Sequence, residues 1–186
     1  MGPVKRQLLL LSGKINSGKD FTADILVKTN KWKKMPFAEH LKMLTAAKFN
    51  VPLDDLCTQP GKRIKYDATR TYRDLCIETA DFYKRNDQNF FVNSVIERIR
   101  LIDNYNIVIP DFRYPNEHAR ICEALSDDFE IKTGLVYRLS GSVELDHPSE
   151  KSLVRFPFDI VLYNYGDGDE EKYKRQLTLA MRLKDD

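Results

Sequence analysis

The stretch Gly13-Lys14-Ile15-Asn16-Ser17-Gly18-Lys19-Asp20 places two glycines and a lysine in G-x-x-x-x-G-K spacing. Such a loop wraps backbone N–H groups around a phosphate, and only small residues let the backbone come that close. Lys19 would reach the outer phosphates, with the N-terminus of a following helix adding partial positive charge. Gly13, Lys14, Asn16, Ser17, Gly18 and Lys19 are therefore candidate ligands for the phosphates of a nucleotide. A short apolar run precedes the loop and an amphipathic segment follows, which is the context this motif requires.

Asp20 departs from the usual pattern, in which a Ser or Thr hydroxyl after the lysine ligates Mg²⁺. A carboxylate can do the same, directly or through a water, because Mg²⁺ prefers hard oxygens and keeps several waters. An acidic residue in a first helical turn is also favoured by the macrodipole alone, and both roles are compatible. A second constellation is "IVIPDFRYPNE". An aspartate at the carboxyl end of a buried strand lies where ligands collect in a doubly wound sheet. Asp111 would orient a metal's water shell or contact substrate, Arg113 would face the phosphate being transferred, and Glu117 would accept hydrogen bonds from a sugar or base. The plainer alternative is an Arg–Glu surface pair, worth little energetically.

The elements that must position these groups follow from periodicity. Residues 7–12 read as a buried strand, followed by a helix from about Gly18 with Phe21, Ile25 and Lys28 on one face. A short strand ends near Phe37, and the next helix aligns Leu41, Leu44 and Lys48. Residues 51–68, with Pro52, Pro60 and Gly61, read as a loop-rich excursion. Helices are expected over 71–83 and through Phe91, Val95, Ile99 and Ile102, then a strand over 106–111 and a helix over 116–125. A strand over 134–139, a polar excursion, a strand over 158–164 and a helix over 170–183 complete the chain. Strands alternating with helices predict an α/β protein with a parallel sheet and helices on both faces.

The chain has 186 residues, 30 basic and 28 acidic, for a net charge of +2. That balance argues against wholesale nucleic-acid binding and for a small anion held by a few placed cations. Three scattered cysteines and three scattered histidines suit neither a disulfide framework nor a zinc site. The apolar stretch after Lys5 and Arg6 is too short for a signal-peptide core or a membrane span. A cytoplasmic protein without membrane partners is expected, with one domain over 1–186.

Taken together, these segments resemble the viral deoxynucleoside monophosphate kinases and, more distantly, animal-type phosphomevalonate kinase. The resemblance rests on the G-x-x-x-x-G-K-D loop, on Phe37-Ala38-Glu39-His40-Leu41-Lys42, and on the Arg73-led helix running into "YKRNDQNFFV". It also rests on Asp111–Arg113 and on Asn164-Tyr165-Gly166 before a last helix. It implies a three-layer P-loop NTPase fold with a substrate-binding region near 38–102 and a lid near 140–153. The implied reaction moves the ATP γ-phosphoryl group to a phosphate monoester with Mg²⁺, in a monomer or homodimer of the cytoplasm (a host's, if viral). By the same resemblance Lys42, Arg73 and Arg113 bind the substrate phosphate, and Phe91 stacks on a base. Arg138 touches the triphosphate, and Asn164 and its neighbours border the adenine. Tyr114, where phosphomevalonate kinase carries a second arginine, and Glu117 favour the nucleotide branch. The rivals are phosphomevalonate kinase and a non-catalytic nucleotide-binding switch.

Overall fold

The computed structural model describes residues 5–29, 31–138, 153, 155–166 and 170–181. Expectations for Leu139, most of the 140–153 segment, Asp167 and residues 182–183 fall outside them. The described residues group into two units, one from Met1–Pro36 with Ile99–Asp186 and one from Phe37–Arg98. No helix among them is long and apolar enough to cross a membrane.

The first unit contains five strands: β1 (Arg6–Ser12), β2 (Trp32–Lys34), β3 (Asn106–Ile109), β4 (Phe129–Arg138) and β5 (Ile160–Asn164). They form one sheet in the order β2-β3-β1-β4-β5, with every pairing parallel. Its helices are α1 (Lys19–Lys28), α6 (Pro115–Leu125) and α7 (Glu170–Met181). The crossover β1–α1–β2 runs one way along the sheet and β3–α6–β4 the other, so right-handed connections put α1 and α6 on opposite faces. Along β1 the side chains alternate. Leu9 and Leu11 pack with Ala23, Ile25 and Leu26 of α1 and with Tyr173, Leu177 and Met181 of α7. Leu8 and Leu10 are equally buried and point to the other face. A parallel sheet covered on both sides explains why β1 reads as an unbroken apolar run.

The second unit holds α2 (Ala38–Phe49), α3 (Leu53–Cys57), a 3₁₀ turn at Gly61–Arg63, α4 (Tyr72–Asn86) and most of α5 (Phe90–Arg100). Val51, Leu56 and Leu75 make its small core, against Ala46, Phe49, Tyr72 and Cys76. The α4 helix starts at a reciprocal cap. The Thr71 N–H donates to Asp74 Oδ2 at 2.7 Å and the Asp74 N–H returns to Thr71 Oγ1 at 3.4 Å.

Several expectations need correction. The buried face of α1 is Thr22, Ala23, Ile25 and Leu26, whereas Phe21 is exposed and tilts against Tyr173. Thr22 can go inside because its hydroxyl is satisfied by the Gly18 carbonyl and the Tyr173 hydroxyl. In α2 only Thr45 is fully buried, its hydroxyl donating to Leu41 O, while Lys48 is exposed and pairs with Glu78. The excursion over 51–68 contains α3, begun by Pro52 with acidic residues in its first turn, an arrangement the helix dipole favours. Helix α5 ends before Ile102, β3 stops at Ile109 because Pro110 has no N–H for the ladder, and β4 begins earlier than expected, at Phe129.

His118 of α6 packs against Phe112 and Phe156. Burial lowers its pKa, and the Asp159 carboxylate offsets this only in part. The fold therefore prefers the neutral imidazole, and stability due to this group is complete above its unfolded value near 6.5 and falls as pH drops through the lower folded value. The urea midpoint is expected to decline as pH falls below about 6.5, and His118→Phe should flatten that slope. An unchanged slope in the variant would assign the acid sensitivity elsewhere.

Candidate functional site

The β1 strand delivers the chain into residues 13–20 at the carboxyl edge of the sheet, and α1 takes it away. Three backbone positions there have positive φ: Gly13 at 143°, Asn16 at 60° and Gly18 at 108°. Asparagine is among the few side chains that tolerate this region. A Cβ on Gly13 would lie 2.3 Å from the Val136 carbonyl oxygen of β4 and 2.7 Å from Ser17 Oγ. On Gly18 it would meet the Asn164 amide nitrogen at 2.4 Å.

The loop's carbonyls are held by side-chain donors. Arg138 Nη1, at the end of β4, donates to Asn16 O at 3.1 Å, and Asn164 Nδ2, at the end of β5, donates to Ser17 O at 3.0 Å. Thr22 Oγ1 donates to Gly18 O at 3.0 Å. A trans peptide sets each N–H opposite to the preceding carbonyl. Anchoring the Ser17 and Gly18 carbonyls outside therefore turns the N–H groups of Gly18 and Lys19 into the loop, while the Ser17 N–H closes a turn onto Lys14 O. Lys19 Nζ sits at the rim, 2.5 Å from Gly13 O and 2.7 Å from Lys14 O. Ser17 is 2% exposed, and its hydroxyl has no hydrogen-bond partner among the described residues. A buried hydroxyl without a partner costs about 1–3 kcal/mol, and a phosphate oxygen in the loop would relieve that. The residues present fit a phosphate.

No family model matches the chain, and no curated protein matches it in sequence. Among solved structures it is similar to TT1252 from Thermus thermophilus, with a TM-score of 0.53, 14% identity and coverage of 98% of this chain and 100% of that one. The Mycobacterium tuberculosis APS kinase CysC, in mutant form, gives a TM-score of 0.49 and 8% identity over 97% of this chain and 99% of that one. At 14% identity the likeness to TT1252 concerns the fold alone. With the parallel sheet and the loop after its central strand, the architecture is settled. The fold is that of a three-layer α/β P-loop NTPase.

The P-loop's Asp20 carboxylate is 78% exposed and lies 2.8 Å from Lys34 Nζ, which also reaches Asp24 at 3.1 Å. Burial pulls the Lys34 pKa down, but hydrogen bonds and charge from Asp20 and Asp24 outweigh it, so the ammonium is held above its ordinary value. Among the described residues no group of three or more His, Cys, Asp or Glu could hold a metal alone. A Mg²⁺ ion fits here in the way it commonly binds nucleotides, with one carboxylate oxygen from Asp20 and the rest from phosphates and waters.

The second constellation is joined to the first through the backbone. The Phe112 N–H donates to Leu11 O at 3.1 Å, fixing Asp111 at the carboxyl edge beside the start of the loop. Phe112 is buried with Phe156 against it, and Arg113 is exposed. Glu117 is 8% exposed, and its Oε2 accepts from the Arg113 and Tyr114 N–H groups at 2.8 and 3.0 Å. Its visible work is to cap α6 and brace the Asp111–Arg113 turn, where the sequence suggested a ligand for a sugar or base. The capping signature, an acid three residues into a helix, is also present in the sequence.

In the second unit, Lys42 and Arg73 both act electrostatically on a residue that no sequence motif singles out. Burial raises the Cys76 pKa, while a Thr45 hydrogen bond and the charges of Lys62, Lys42 and Arg73 oppose that rise. The charges of all three cations thus act on one thiol, and Arg73 Nη2 is braced by Gln59 Oε1 at 3.0 Å. Phe91 is 6% exposed, so its face is not offered to a base. Phe90 beside it is half-buried and stacks with Tyr83 (4.5 Å) and with His40 (5.7 Å). His40 Nδ1 is hydrogen-bonded to Ser94 Oγ at 2.6 Å.

Proposed function

We propose that this chain transfers the γ-phosphoryl group of ATP to a deoxynucleoside 5′-monophosphate, giving the diphosphate. The observation that carries the reading is the loop itself. Its outer carbonyls are tied back, its N–H groups are turned inward, and an ammonium stands at its rim. The resemblance to deoxynucleoside monophosphate kinases supplies the acceptor, and the cations of Lys42, Lys62 and Arg73 are suited to a phosphate monoester.

Phosphoryl transfer asks for in-line positioning and neutralised charge, with little covalent help from the protein. Lys19 and Lys14 bind the donor's outer phosphates, with the inward N–H groups of the loop. Arg113, at the end of the β3 segment, faces the phosphate being transferred, and Asp111 beside it orients water or substrate at the sheet edge. Asp20 would hold a Mg²⁺ ion, which when bound would neutralise phosphate charge. Arg138 and Asn164 serve ATP indirectly, by holding the loop carbonyls. The acceptor is already anionic, so no strong general base is needed.

The test is ADP release with ATP and Mg²⁺ across dGMP, dTMP, dCMP, AMP and phosphomevalonate. Turnover with one or more deoxynucleotides and none with phosphomevalonate is expected. Activity with phosphomevalonate alone would replace the acceptor. ATP binding without turnover on any acceptor would instead favour a nucleotide-binding switch.

A further inference from the structure

The geometry points to Lys34 as the residue that sets this site's demand for metal: its ammonium occupies Asp20 until a divalent cation arrives with the nucleotide, then withdraws onto Asp24. The inference rests on the proposed nucleotide reading and deepens it. Asp20 and Asp24 are one turn apart on α1, and two carboxylates so placed repel each other. Lys34, at the end of β2, sits between them at 2.8 and 3.1 Å, and is 27% exposed where the carboxylates are 78% and 60%. The lysine is thus the more firmly positioned member, and the carboxylates are the exposed ones.

An oxygen already paired with an ammonium is a poorer ligand for Mg²⁺, so the metal must compete for Asp20. The competition is mild because Lys34 keeps Asp24 when Asp20 turns to the metal. A Ser or Thr in place of Asp20 would give Lys34 no anionic partner at that position. The acidic residue after the P-loop lysine and the lysine of β2 therefore act as one device.

The experiment is calorimetric titration of the full chain with the non-hydrolysable analogue AMP-PNP over a series of Mg²⁺ concentrations, which reads binding and not turnover. An exposed ion pair of this kind predicts that Lys34→Met lowers the half-saturating Mg²⁺ concentration roughly two- to fivefold. The same change made in an Asp20→Ser background should produce no such shift. If Lys34→Met leaves the Mg²⁺ midpoint unmoved, the inference falls while nucleotide binding stands. If the shift persists undiminished beside Asp20→Ser, Lys34 acts as a general positive field, and the pairing role is wrong. If the unaltered protein binds no AMP-PNP at any Mg²⁺ concentration, the proposed function falls and takes this inference with it.

Discussion

Lys19→Met is expected to remain folded and to lose nearly all phosphoryl transfer, by roughly a hundred- to a thousandfold or more in kcat. The ammonium lies at the loop's rim within hydrogen-bond distance of Gly13 O and Lys14 O. Methionine keeps the length of the side chain and removes the charge, so the loss should appear in turnover far more than in folding. Two hydrogen bonds at a half-exposed rim are worth about 1 kcal/mol net. In a chain of this size that lowers Tm by about 2–4 °C. Thermal unfolding measured beside ADP release separates the two effects. Activity close to the unsubstituted protein's would sink the assignment of the loop to catalysis.

Gly13→Ala should damage both stability and nucleotide binding. Alanine at a φ of 143° is strained by about 1–3 kcal/mol whatever surrounds it. Its Cβ would also lie 2.3 Å from the Val136 carbonyl oxygen, a main-chain atom of a strand paired with β1 on one side and β5 on the other. Such an atom cannot yield, so the start of the loop must move away from β4. A loss of about 2–4 kcal/mol in urea unfolding is expected, with at least a tenfold weakening of AMP-PNP binding. Gly18→Ala offers the comparison. Its Cβ meets the side-chain amide of Asn164, which can rotate at the expense of its bond to Ser17 O, so the stability loss should be smaller. Equal urea midpoints for Gly13→Ala and the unsubstituted protein would contradict the close approach of loop and strand.

Much of this site is legible in the amino-acid sequence, because its signals are local. The spacing of Gly13, Gly18 and Lys19 is a statement about one turn of backbone, and the apolar run of Leu8–Leu11 about one strand. Asp111 and Arg113 sit where a strand must end, since Pro110 halts the ladder. The pairings across the sheet are not legible in this way, because they depend on strand order. That order, with β4 beside β1 and β5 next to it, is what puts Arg138 and Asn164 on the P-loop's carbonyls. The meeting of Lys34 with Asp20 likewise joins residues that share no local pattern. Phe21, expected on the covered face of α1, is exposed, and Phe91, which the resemblance offered to a base, is buried with the apolar face of its helix. Periodicity says that a residue has an apolar side, but only the neighbours that arrive from elsewhere in the chain decide whether that side is covered.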